Sequence, residues 1–195
     1  MKLANNDLSE ILWSFLQEYT RQYQIEFARF PSVDKDEDWP SPCLEEEFDE
    51  QKMLWKPHKI VDDLSFENIE SALELEFHPD IKTYFTCAYG DAIHAECQEG
   101  ELSLLLPWSK EDFARLQENI IGHVLMKQKL KQAITIFFAV TDEEDMILSV
   151  NNNSGEVWVE RVGCEPHKKI ADSLTEFLSM LTPKLVNEIH NEQGL

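Results

Sequence analysis

Residues 134–140 read Ile-Thr-Ile-Phe-Phe-Ala-Val, a continuous β-branched and aromatic run. A run of that length and composition, closed off by polar residues, reads as a fully buried strand and is expected to be the central strand of a sheet. Just beyond it, Met146 to Val150 and Glu156 to Val162 flank Asn151-Asn152-Asn153-Ser154-Gly155. Two strand-like runs around an Asn/Ser/Gly cluster predict a hairpin with a slightly long turn. Alternation puts Val157 and Val159 on one face and Trp158 on the other.

Other segments carry the helical period. Leu8, Ile11, Leu12, Phe15, Leu16, Tyr19, Tyr23 and Phe27 recur at steps of three and four, which predicts one amphipathic helix over Asp7 to Phe27. Its other face carries Glu10, Glu18 and Glu26, so the stripe fits a core better than an anionic membrane. Met53 to Trp55 reads as a short strand. Ser65 is placed to cap a helix to about Leu75 with Ile69, Ala72 and Leu73 inward, and Pro79 opens a further turn to Phe85. Asp91 to Cys97 and Glu101 to Leu106 read as strands joined at Glu99-Gly100. Ser109 with Asp112 predicts a capped helix start, with Phe113, Leu116, Ile120, Val124 and Leu125 inward. Lys127, Lys129 and Lys131 suit the negative end of that helix. A last helix is expected over Ile170 to Leu181, burying Leu174, Phe177, Leu178 and Leu181, with Pro183 ending it.

There is no βαβ rhythm. The expectation is an α+β fold with a mostly antiparallel sheet of about five or six strands, N-terminal helices, one inserted helix and one C-terminal helix. One domain over residues 1–186 is expected, with a disordered tail from Asn187.

Charge sets the function classes. Against 17 Lys and Arg stand 38 Asp and Glu, a net charge of -21. That field repels nucleic acid and an anionic leaflet, and leaves a basic protein surface as the natural partner. The most acidic stretch, Asp34 to Glu50, holds nine acids and one base between Pro31 and Pro57, and reads as a solvated loop or an interaction surface. Trp39 and Trp55 sit on either side of it, as interface anchors or as core residues. No stretch approaches the roughly 18 apolar residues of a spanning helix, and no secretory signal is visible, so a cytoplasmic location and free thiols at Cys43, Cys87, Cys97 and Cys164 are expected.

Catalytic and cofactor motifs are missing: no G-x-S-x-G, G-x-G-x-x-G, P-loop or H-E-x-x-H. His94 and Glu96 would share a strand face, but two ligands do not make a metal site. The expectation is a binding protein, not an enzyme, with no cofactor.

Specific blocks then come in order: Pro40-Ser41-Pro42-Cys43, Trp55-Lys56-Pro57, and Phe77 to Phe85 reading Phe-His-Pro-Asp-Ile-Lys-Thr-Tyr-Phe. Gly90-Asp91-Ala92-Ile93-His94-Ala95, Trp108 to Phe113, Gln117 to His123, Asn153 to Val157 and Leu174 to Leu178 follow. In this order they resemble the Syd family over nearly the whole chain; the acids at 34–38 and 45–50 and the tail after Leu185 depart from it. The resemblance implies a SecY-interacting protein, bound peripherally at the cytoplasmic side of the bacterial inner membrane and checking or sequestering SecY. It also implies the α+β fold of the SUKH superfamily, which includes immunity proteins, so neutralisation of a basic toxin is the alternative. Cytoplasmic loops of a translocon are rich in Lys and Arg, and an acidic surface complements them. Membrane contact would then run through SecY alone. Within the matching blocks the acids expected to bind the partner are Asp80, Asp91, Glu96, Glu111, Asp112 and Glu118.

Overall fold

The computed structural model describes residues 4–186. Helix α1 (Ala4–Phe27) leads into three short strands, β1 (Ser32–Asp34), β2 (Leu44–Glu47) and β3 (Lys52–Trp55). Then come β4 (His58–Lys59), α2 (Glu67–Leu73), α3 (Pro79–Phe85) and β5 (Ala88–Tyr89). The hairpin β6 (Ile93–Cys97) and β7 (Gly100–Leu104) precedes the long α4 (Lys110–Leu130). After it run β8 (Thr135–Thr141), β9 (Met146–Asn151), β10 (Val157–Arg161), β11 (Lys168–Ala171), α5 (Leu174–Ser179) and β12 (Thr182–Pro183). The expected tail from Asn187 lies outside the described residues.

The fold is α+β, as expected. The main sheet has seven antiparallel strands in the order β11-β10-β9-β8-β7-β6-β12, and the Ile134–Val140 run supplies the fourth, central one. The count exceeds five or six because two short edge strands hide in segments of other reading. Ile170 belongs to β11, where Lys168 and Lys169 point to solvent, and the helix begins only after Ser173. Pro183 does not merely end a helix: it pairs with Ala95 on the sheet edge, where a residue without an N–H is tolerated. Lys168 forms an ion pair with Glu99 on the β6–β7 turn, five strands away in the sheet order, so the sheet is curled.

The central strand is covered on both sides. Phe138 meets Tyr84 of α3 and Phe177 of α5 edge-on, each at 5.6 Å between ring centres. On the other face Phe137 meets His123 of α4 at 5.5 Å. The α1 stripe is core as read, with Leu8, Leu12, Phe15, Leu16, Tyr19 and Tyr23 buried against α3, α5 and β12. Tyr23 Oη donates to Val186 O at 2.9 Å and accepts from Val186 N at 3.2 Å.

Local signals set the element ends. Ser109 Oγ accepts from Asp112 N at 3.2 Å, while Asp112 Oδ2 accepts from Trp108 N at 2.8 Å, so the short-armed capping box closes one residue earlier than its usual partner. Ser65 Oγ accepts from Glu67 N, but Phe66 occupies the N-cap and Ala72 is exposed. Leu125 also faces solvent, at 51% exposure; the inner stripe of α4 runs through Phe113, Gln117, Ile120, Val124 and Lys127.

Candidate functional site

The acidic stretch is a folded sheet. β1, β3 and β2 pair in that order, with Val33 opposite Met53 and Leu44 opposite Trp55. Paired residues share a face, so Val33, Met53 and Leu44 make one apolar floor, half-buried in each case. Trp55 continues that face inward and is core, 2% exposed, edge-on to Trp108 at 5.8 Å. The segment Trp39–Ser41 closes over it: Trp108 Nε1 donates to Trp39 O at 3.2 Å, and Ser41 Oγ donates to Trp108 O at 2.5 Å. Between these walls lies a groove of about 400 Å³, floored by Val33, Leu44 and Met53, walled by Trp39 and Trp108, and rimmed by Asp34, Lys35, Asp36 and Glu37. The Arg115 guanidinium already stacks 4.5 Å from the centre of the Trp39 ring, a contact in which the ring face attracts a cation.

Three bases neutralise part of the stretch. Lys35 pairs with Glu47, Lys52 with Asp34 at 3.1 Å, and Lys56 with Glu45 at 2.9 Å. That leaves Asp36, Glu37, Asp38, Glu46, Asp49 and Glu50 without an ion pair among the described residues.

The six acids singled out in the sequence do not form one cluster. Glu111 lies near Tyr89, whose hydroxyl donates to Asp62 at 2.8 Å. Burial first, then Asp62 and Glu111, push the Tyr89 phenol well above its usual range. Nearby, burial pushes the Cys43 thiol up to about 11, and Asp91 and Glu45 add to that shift. Asp62 and Glu111 therefore act on Tyr89, and Asp91 and Glu45 on the neighbouring Cys43. Asp112 turns back to cap α4, and Glu118 is exposed further along the same helix. Asp80 belongs to a different region: its N–H donates to His78 Nδ1 at 3.2 Å, while the His78 N–H donates to Asn152 on the β9–β10 hairpin. Glu96 faces Glu101 and Thr182 at the β6 edge. Composition had no means of finding Asp62, which is exposed and reaches the cluster only through Tyr89.

A family model described as Syd protein (SUKH-2) matches residues 9–183. The chain belongs to the Syd family. Protein Syd of Colwellia psychrerythraea is 54% identical over 95% of this chain and 98% of its own length. Protein Syd of Alteromonas mediterranea is 48% identical over 76% of this chain and 82% of its own. Protein Syd of Pectobacterium atrosepticum is 35% identical over 93% and 99% respectively. The family match spans the groove, the Tyr89 cluster and the whole curled sheet.

One further constellation of titratable groups lies inside this Syd-family domain. Lys127 Nζ, fully buried, donates to Glu160 Oε2 at 3.0 Å and to Cys164 O at 2.6 Å. Thr135 Oγ1 donates to the same carboxylate at 2.9 Å, and His123 Nε2 stands 3.1 Å from that hydroxyl. Burial pushes the Glu160 carboxyl above its usual range against the pull of Lys127 and Thr135. The His123 ring is pushed down to about 4, by burial and then by the Lys127 charge. Acid, base and hydroxyl stand in contact here, but Lys127 and Glu160 have no exposed surface, so no substrate in solution meets them. The network joins α4 to β8 and β10 and holds the helix in register on the sheet. Among the described residues no group of three or more His, Cys, Asp or Glu could hold a metal ion, and no helix is long and apolar enough to cross a membrane.

Proposed function

We propose that this chain binds the basic cytoplasmic loops of SecY, and thereby reaches the cytoplasmic side of the inner membrane peripherally and restrains or sequesters that translocon component. Membership of the Syd family supports the partner. The observation that carries the surface is the groove between Trp39 and Trp108, where an apolar floor meets the carboxylates of Asp36 and Glu37, which have no ion pair among the described residues. A Lys or Arg side chain needs both parts: a surface for its aliphatic stem and an anion for its head. Asp91, Glu111 and Glu118, with Asp62, extend the acidic rim towards α4. Asp80, Glu96 and Asp112 contribute to the field or to local structure.

The test is binding to SecY in detergent or nanodiscs across a salt series. Association driven by this rim weakens steeply between about 0.05 and 0.5 M NaCl, as screening shortens. Reversal of Asp36 and Glu37 to Lys, or of Asp91 and Glu111, is expected to weaken binding at least about ten-fold, whereas reversal of Asp80 and Glu96 changes it little. Equal loss from both sets would leave only a diffuse field, and undiminished binding by folded groove variants would sink the assignment.

A further inference from the structure

One cleft has the opposite charge from its surroundings. The outer face of α1 and the stretch from Lys56 to Val61 enclose about 550 Å³. None of the lining residues is acidic in a chain with 38 acids, and Arg21, Lys56 and Lys59 are among them. Glu18 holds Arg21 at 2.6 Å and Glu45 holds Lys56 at 2.9 Å from outside the cleft. Lys59 is exposed and has no carboxylate in ion-pair reach among the described residues; its ammonium stands 5.0 Å from the centre of the Trp13 ring.

Among the described residues, the two most exposed large apolar side chains are Val61 and Ile25. Val61, 87% exposed, lines the cleft, and Ile25, 67% exposed, follows Arg21 by four residues on α1. Residues four apart share a helix face, so Ile25 prolongs the cleft along the helix. Exposed apolar side chains grouped beside a formed cleft mark an interaction surface.

We propose that this cleft docks a short segment of a partner protein that carries carboxylates beside apolar side chains. Charge complementarity chooses the sign: a free ammonium and two further cations meet an acidic group without opposition from any lining residue. Gln17 and Gln24 on the wall supply donors and acceptors for the backbone of such a segment. An anionic bilayer has the same chemistry on its surface but is flat, and it would meet the charge of the whole molecule, -21, rather than the cleft alone. The site asks for a ligand opposite in charge to the loops of SecY, so occupancy here is compatible with the acidic groove engaged elsewhere.

Fluorescence anisotropy of a labelled peptide alternating Leu and Glu tests this on the full chain, with a Leu–Lys peptide and phosphatidylglycerol vesicles in parallel. The Leu–Glu peptide is expected to bind, and Lys59→Glu or Val61→Asp each to weaken it about ten-fold or more, with the urea midpoint and SecY binding unchanged. Equal binding of the Leu–Lys peptide overturns the proposal, as does indifference of the Leu–Glu peptide to both substitutions. Vesicle binding abolished by Lys59→Glu, with no peptide binding, replaces the segment by lipid and equally overturns it. Because SecY binding is read separately, failure here leaves the acidic groove standing, and the reverse.

Discussion

Lys127 holds a buried charge at the interface of α4 with the sheet. Its charge is buried and balanced by Glu160 alone, so Lys127→Met leaves an uncompensated carboxylate in the core. Urea unfolding is expected to show a loss of about 3–5 kcal/mol for that variant, with most of it restored when Glu160→Leu is added. His123 gives the network a pH dependence of defined sign. Its folded pKa, about 4, lies below its unfolded value, 6.5, so the unfolded chain takes up the proton first on acidification. The contribution is complete above pH 6.5 and is lost as pH falls towards 4, by at most about 3 kcal/mol. In His123→Gln, the slope of stability against pH in that window should flatten. The sequence pattern misleads here: it puts Leu125 inward and assigns Lys127 to the helix end, whereas Leu125 is exposed and Lys127, three residues after Val124, lies on the inner stripe. What spacing could not supply was Glu160, because a lone Glu inside a strand is ordinarily solvent-facing and its partner is 33 residues away.

At the scale of elements, the β9–β10 hairpin is tied to the start of α3. Asn152 Oδ1 accepts from His78 N and its Nδ2 donates to Glu76 O, both at 2.9 Å. Gly155 stands at φ +77, and a Cβ there would come within 2.6 Å of His78 Nε2. Gly155→Ala therefore meets backbone strain and a ring together, and a loss of at least about 2 kcal/mol in urea unfolding is expected. Asn152→Ala, which strands a His78 N–H, should cost about 1–3 kcal/mol. The strand runs, the Asn-rich turn and the Ser109 cap were all legible, because each is a local pattern. The edge strands β11 and β12 were not. They are too short to show a period, and what makes them strands is the neighbour already in place. The same holds for β1 and β2, where acid content suggests solvation and pairing with Lys52–Trp55 overrides it.

At the scale of the molecule, one excess of charge acts on two equilibria with opposite sign. Self-repulsion at -21 opposes folding, so raising NaCl from about 0.05 to 0.5 M should raise the urea midpoint. The same salt should weaken SecY binding if the acidic groove carries it. A pair of titrations, unfolding and binding, in one buffer series separates screening of the fold from screening of the interface. Net charge was readable from composition. The arrangement was not, since Asp62 and Glu111 meet at Tyr89 and Asp91 and Glu45 at Cys43, and the acid-free cleft beside Trp13 depends on how α1 lies against Lys56–Val61.

The two hydrogen bonds between Tyr23 and Val186 bear on the order of events at the ribosome. Helix α1 precedes all the elements that bury its stripe, α3, α5 and β12, and the second and third of these are made only after β11. Domains fold as units once their contacts can close, so the apolar face of α1 has at most α3 to cover it until α5 and β12 are made. A nascent chain of this protein therefore leaves part of the α1 stripe open to chaperones until α5 emerges, and slowing elongation should lengthen that exposure rather than help the chain fold.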